Sequence, residues 1–270
     1  MEEVWLALVV GNTRLHWGYF RQDNLIRSWH TPHLNREEID AAIASGSLFE
    51  VPLPSLWIAS AVPAQTDLWC NQSVVAEVVT LKHVPLDDLY PTLGTDRAIN
   101  LLGAGSILGW PVLVIDSGTA LTFTAGNKGF FGGAILPGIR LQGKVLATGT
   151  ASLVAAVDSS LTMFSTPAVT QCDSGLTLPE RSMPERWAMD TGGAIASGII
   201  YSAIATITDY LRDWWRTFPT GKAIITGGDG PVLHTLLQQR TPEIASRVLV
   251  DQNLMFWGMQ AYRKGRILDA

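Results

Sequence analysis

Cysteine is nearly absent from this chain of 270 residues: only Cys70 and Cys172 occur, far apart. That excludes a disulfide scaffold and a paired-cysteine metal site, and a reduced, cytoplasmic protein is expected. Positive charge is also short, with 19 Lys and Arg against 24 Asp and Glu and a net charge of −5. Nucleic acid is therefore not expected as a partner, since such a binder needs a basic face. Nucleotides stay open, because backbone N–H groups and a cation can hold phosphate without basic side chains. The opening MEEVWLALVV lacks the basic segment of a signal peptide. Long apolar runs are missing as well. Ala98–Ile115 and Thr191–Thr208 are charge-free over 18 residues each, yet Gly, Ser, Thr, Asn or Pro interrupts both. Buried helix and strand explain them better than a membrane span, and no membrane is expected. What the chain does have is 47% hydrophobic and only 16% charged residues, enough for a large folded core.

An internal repeat organises that core. LALVVGNTRLHWGYF (Leu6 to Phe20) reads as a buried strand, a tight turn and a second strand. VLVIDSGTALTF (Val112 to Phe123) repeats the pattern when Gly11 is aligned with Gly118. Both continue as three-stranded meanders through Asn- or Gly-containing turns, Arg21–Asn24 and GNKG. Helix and strand alternate afterwards. Arg36–Ser45, Asp96–Leu108, Gly192–Arg216 and Pro231–Gln238 are helix candidates; Leu56–Val62, Ala223–Gly228 and RVLVDQ are strand candidates. Asp158–Arg186 reads as an irregular insertion. Two α/β lobes are expected, residues 1–110 and 111–270, with a ligand cleft between them.

Four turns can carry chemistry. In Asp116-Ser117-Gly118-Thr119 the glycine permits a sharp turn, N–H groups and the Thr119 hydroxyl can grip phosphate, and Asp116 can hold a hydrated cation. An Asx-turn would use the same residues without any ligand. In Gly94-Thr95-Asp96-Arg97, Asp96 can cap a helix. Alternatively it is the general base for a substrate hydroxyl, with Arg97 on an anion. Thr226 to Gly230, TGGDG, ends a strand with bare backbone on which a ring or ribose can lie, or is simply a strand-to-helix loop. Gly132 to Gly138, GGAILPG, lines a pocket or packs a bend. The histidines carry little signal: His30 and His33 lack a third zinc ligand, and His16 sits on a strand as a partly exposed residue.

Taken in chain order, Gly11-Asn12-Thr13, Gly94 to Arg97, Asp116 to Thr119, Gly132 to Gly138 and Thr226 to Gly230, with Asp190 to Gly198 (DTGGAIASG) as a further element, resemble the type III pantothenate kinases. Those are short members of the acetate-kinase/sugar-kinase/Hsp70/actin superfamily, and the resemblance spans nearly the whole chain. It implies two duplicated ribonuclease H-like (actin-like ATPase) lobes and ATP-dependent phosphorylation of pantothenate, the first step of coenzyme A synthesis. It also implies Mg²⁺, a monovalent cation (K⁺ or NH₄⁺), and a homodimer whose pantothenate sites are completed across the interface. Carried over by position, Asp96 resembles the catalytic base, and Gly94, Thr95, Arg97 and Thr191 resemble pantothenate-binding residues. Gly11, Asn12, Thr13, Gly118, Thr119, Gly227 and Gly228 resemble the ATP-binding residues, and Asp116 the metal residue.

The family pattern is not met everywhere. Val9 stands where the family's first phosphate turn carries aspartate, and Asp190 replaces an Asn. Asp87 occupies the place of a pantothenate-contacting tyrosine, for which Tyr90 is offered instead. The change at Val9 implies weakened Mg·ATP capture. It also leaves an alternative, a catalytically impaired relative that binds or regulates. A third reading keeps catalysis and changes the small hydroxyl substrate.

Overall fold

The computed structural model describes residues 3–46, 54–71, 76–149 and 182–268. Most of the expected insertion at 158–186 lies outside them. Contacts divide the chain into two compact units, Met1–Ile107 with Asn253–Ala270, and Leu108–Gln252. The last 18 residues thus group with the first unit rather than with 111–252.

The first unit is built on the sheet β3-β2-β1-β4-β5, formed by β1 (Val4–Val10), β2 (Leu15–Arg21), β3 (Asn24–Thr31), β4 (Ser55–Ser60) and β5 (Ala76–Val78). The first three strands form the antiparallel meander, and β4 and β5 add in parallel beside β1. A central strand covered on both faces must be continuously apolar, and VWLALVV is. Leu6, Leu8 and Val10 face a cluster with Trp17, Ile39 and Trp69. That side receives α1 (Arg36–Ala44) and α2 (Pro63–Cys70). The α1 helix starts on a capping box, Asn35 with Glu38. On the other face Trp5 stacks on Phe20, and α8 (Leu254–Leu268) lies against β1 and β4. A methyl group on Gly18 would stand 2.9 Å from the Phe256 ring, so the glycine lets that helix close on the sheet. The unit also holds α3 (Thr95–Leu108). It crosses α8 so closely that a Cβ on Gly258 would lie 2.0 Å from the Ile99 carbonyl oxygen.

The second unit repeats the plan. Its sheet is β10-β9-β6-β7-β8, from β6 (Val112–Ser117), β7 (Ala120–Asn127), β8 (Gly129–Pro137), β9 (Lys222–Thr226) and β10 (Val248–Val250). Read from the meander side, both sheets have the same order: third strand, second, first, then two parallel additions. Around this sheet stand α4 (Ile139–Gly149), α5 (Thr191–Thr217), α6 (Gly230–Arg240) and the single turn α7 (Pro242–Ala245). The core joins Ile115, Phe123, Ile225 and Leu233 to the buried face of α5. α5 is the one described helix long and apolar enough to cross a membrane, and 56% of its apolar window is buried in the protein. It is a core helix by that measure. The two α/β lobes that the repeat predicts are present, each with the ribonuclease H-like plan that the family resemblance implies. Five of these elements were not expected from the sequence: α2, β5, α4, α7 and α8.

Candidate active site

In the first unit the residues expected to handle substrate come together at the start of α3. Leu93 is buried and its N–H donates to the Tyr90 carbonyl at 3.0 Å, folding the preceding loop back on the helix. Asp96 is exposed in the first helical turn, where a carboxylate gains from the helix dipole. Its Oδ1 accepts the Arg97 N–H at 2.8 Å. A Cβ on Gly94 would stand 2.4 Å from the same oxygen, so glycine leaves that carboxylate room. Arg97 is only 6% exposed, and its Nη1 donates to the Tyr90 hydroxyl at 3.0 Å. A guanidinium so deeply placed persists only where its N–H groups find partners. Gly94, Thr95, Asp96, Arg97 and Tyr90 thus form one constellation.

The first glycine turn lies in the same unit. The last closing pair is Val10 with Leu15, which leaves Gly11 to Arg14 as the loop. The Gly11 N–H donates to the Arg14 carbonyl at 3.0 Å, so that donor is used within the turn. Gripping by Asn12 and Thr13, both exposed, remains open. The turn has a support not foreseen from the sequence: His33 Nε2 lies 2.8 Å from the Gly11 carbonyl oxygen, an imidazole N–H donating to it. His16 faces Val9 across the β1–β2 ladder and His30 across β2–β3. Burial, then His30 and Arg14, holds the His16 pKa below the ordinary imidazole value. His30 is lowered by burial and then by Arg14. Among the described residues no group of three or more His, Cys, Asp or Glu is placed to hold a metal ion.

In the second unit three loops converge on Asp116, at the penultimate position of β6. Gly227 has φ +84°, a left-handed conformation that glycine alone adopts freely. A Cβ there would lie 2.3 Å from Asp116 Oδ1 and 2.5 Å from the Ser117 carbonyl oxygen. The Asp229 N–H donates to that carbonyl at 3.0 Å. The Gly138 N–H donates to the Thr119 carbonyl at 2.9 Å, and a Cβ on Gly138 would meet Gly118 O at 2.1 Å. GGAILPG is thus the end of β8 and a docking point for the Gly118-Thr119 turn, rather than a free bend. Arg140, in the first turn of α4, reaches the buried Asp229 carboxylate with Nε and Nη2 at 3.3 Å each. Gly228 has open space over its backbone. Asp116, Gly118, Thr119, Gly227 and Gly228 are brought together, and Arg140 with Asp229 ties the corner. Asp229 is the acidic residue of TGGDG, whereas Arg140 is marked by no motif.

Thr191 stands outside this corner. It is the first residue of α5, capped by Asp190, whose Oδ1 accepts the Gly193 N–H at 2.8 Å. Asp and Asn cap equally well, so the replacement of the family's Asn leaves the helix start intact. Thr191 lines an apolar cleft of about 640 Å³ with Pro137, Val145, Leu146, Ile195 and Ile199.

Comparison with known proteins follows this geometry. A family model described as type III pantothenate kinase matches residues 5–213. The chain belongs to the type III pantothenate kinase family. A relative from Nostoc sp. with that name is 41% identical over 285 residues, covering 98% of this chain and 96% of its own. One from Synechocystis sp. is 38% identical, covering 98% and 92%. Among solved structures, MreB 5 of Spiroplasma citri bound to AMPPNP matches 99% of this chain and 98% of its own, at TM-score 0.51 and 10% identity. Component A of (R)-2-hydroxyglutaryl-CoA dehydratase from Acidaminococcus fermentans also reaches TM-score 0.51, covering 98% and 99% at 10% identity. At that identity these show the fold alone. The family is one of kinases, and the protein is an enzyme of that kind. The reading as a non-catalytic relative finds no support.

Proposed function

We infer that this protein transfers the γ-phosphoryl group of ATP to the primary hydroxyl of pantothenate, giving 4′-phosphopantothenate. The observation that carries the reading is the Asp96–Arg97–Tyr90 constellation at the start of α3. Phosphoryl transfer needs little covalent help from the protein. It needs an oriented nucleophile, an in-line donor and compensation of charge. Asp96 accepts the hydroxyl proton as the oxygen attacks phosphorus and the bond to the ADP oxygen breaks. Arg97, held by the Tyr90 hydroxyl, meets the pantothenate carboxylate, and Gly94 and Thr95 line the same place.

For the nucleotide, Gly11, Asn12 and Thr13 in the first unit, and Gly118 and Thr119 in the second, are assigned to phosphate. Gly227 and Gly228 offer bare backbone to the adenosine. Asp116 suits a metal that keeps most of its water shell and needs one or two carboxylates. When bound there, Mg²⁺ supplies charge neutralisation on the phosphates. A monovalent cation, K⁺ or NH₄⁺, completes the requirement that the family resemblance implies. A homodimer is proposed too, with Thr191 serving the partner's pantothenate; the support is the apolar cleft at Thr191 and Val145, which is 56% exposed on α4. A cytoplasmic location accords with a soluble small-molecule kinase.

The test is a coupled assay of ADP release with pantothenate, ATP, Mg²⁺ and NH₄⁺. Pantothenate-dependent ADP is expected, and Asp96→Asn should lower kcat by about 10²–10⁴-fold. Absence of pantothenate-dependent turnover at millimolar ATP would overturn the assignment.

A further inference from the structure

The two glycine turns differ in charge at the cross-strand pair next to their closing pair. In the second unit Asp116 pairs with Thr122; in the first the matching pair is Val9 with His16. The match rests on more than counting. Trp5–Val10 and Val112–Ser117 share one burial sequence, four buried residues, a half-buried one and a buried one. The half-buried positions are Val9 and Asp116. Residues paired across antiparallel strands project from the same face, so His16 occupies the flank of the place where a carboxylate is missing. A Cβ on Gly11 would stand 4.0 Å from His16 Nε2, which puts the imidazole against the turn itself. The His30 ring backs it at 6.2 Å, and the His33 bond to the Gly11 carbonyl fixes the loop on the other side.

We propose that His16 is a phosphate ligand for the nucleotide at the first turn, replacing a carboxylate that binds through a metal with an imidazole that binds phosphate directly. The proposal rests on the kinase reading above. A carboxylate repels phosphate unless a cation stands between them. An imidazole donates an N–H to a phosphate oxygen with no intermediary, and more strongly once protonated. The flanking groups fit that task. Burial, then His30 on β3 and Arg14 in the turn, disfavours a standing charge on His16 before an anion arrives. An arriving phosphate reverses that balance. Val9 removes the competitor that would otherwise pair with the ring.

The experiment measures ADP binding by calorimetry, in EDTA and in Mg²⁺, for the wild type, His16→Gln, and the paired change Val9→Asp with His16→Thr, which copies the second turn. The histidine C2–H signals of the wild type are followed by NMR in parallel, with His16 assigned from the Gln variant. In EDTA, ADP should shift the His16 signal, and His16→Gln should weaken metal-free binding by about tenfold. The paired change should lose metal-free binding and recover affinity when Mg²⁺ is added. Pantothenate binding should be unchanged in all three. A wild type that binds ADP with a motionless His16 signal, or a Gln variant with unaltered affinity in EDTA, would overturn the proposal while leaving the kinase reading intact. A wild type that binds no ADP under either condition overturns both.

Discussion

The two glycine turns share one backbone plan and differ in the side chains that flank it. Each ends a central strand with the same burial sequence, and each closes on its own glycine N–H: Gly11 to the Arg14 carbonyl, Gly118 to the Ala120 carbonyl. Around Asp116 the backbone is packed to the limit by Gly227 and Gly138. Around Val9 there is a histidine stripe, and the turn is held by one imidazole bond. The same backbone plan thus carries a carboxylate in one unit and an apolar residue beside a histidine in the other. The second turn is closely packed and acidic, the first imidazole-lined.

The comparison breaks most easily at its acidic end. Asp116→Asn should lower kcat/KM for ATP by about 10²–10³-fold, the scale for one group that compensates transition-state charge. Val9→Ala in the same assay should stay within about twofold, because that side chain bears no charge to lose. Equal losses would show that the turns still share one role. The next largest effect belongs to the glycines. Gly227→Ala adds a methyl 2.3 Å from Asp116 Oδ1 at φ +84° and should cost about 2–4 kcal/mol, read by thermal melting, along with ATP affinity. Gly11→Ala meets its nearest atom only at 3.3 Å and should cost under about 1 kcal/mol.

Cutting the side-chain ties sharpens the picture further. Arg140→Met removes the arginine's bonds to the buried Asp229 carboxylate and should destabilise the second unit by about 1–3 kcal/mol, the arginine itself being partly exposed. His33→Ala removes one bond to a carbonyl, worth about 0.5–1.5 kcal/mol. Hydrogen exchange at the Asp229 and Gly11 amides distinguishes the two. The smallest effect is on pH. His16 and His30 have lowered pKa values, so each is neutral in the folded state at a pH where the unfolded chain begins to bind protons. Their contribution is present above the unfolded value, about 6.5, and is lost as pH falls through and below it. The melting temperature should therefore drop between pH 7.5 and 5.5, by less in a His16→Gln/His30→Gln variant. An identical drop in both proteins would remove the histidines from the account.

Much of this was legible in the chain. The duplicated meander shows in alternating apolar residues and in turn glycines, because strand register and tight turns are local properties. The Asp96 turn was legible for the same reason: acidic residues favour a first helical turn. What was hidden depends on distance along the chain. Nothing near Gly227 in sequence says that it rests on Asp116, and nothing near Arg140 announces Asp229. The α4 helix was missed because it starts directly after Pro137-Gly138, a pair that signals a bend. The α8 helix was missed because Gly258 and Gly265 weaken its propensity, although Gly258 is what lets it cross α3. The place of His16 was within reach. Once Val10 pairs with Leu15, Val9 must pair with His16.

That crossing of α8 over α3 bears on how the molecule is made. The first unit is assembled from residues at both ends of the chain, whereas the second is one continuous stretch. During synthesis on a ribosome, Leu108–Gln252 has all its strands before Leu254–Leu268 exists. Until that final helix arrives, Trp5 lacks Arg263 above its ring and the Ile99 turn of α3 has no neighbour in Gly258. The helix that presents Asp96 thus receives its buttress last, and the half of the protein translated first is the half completed at the end.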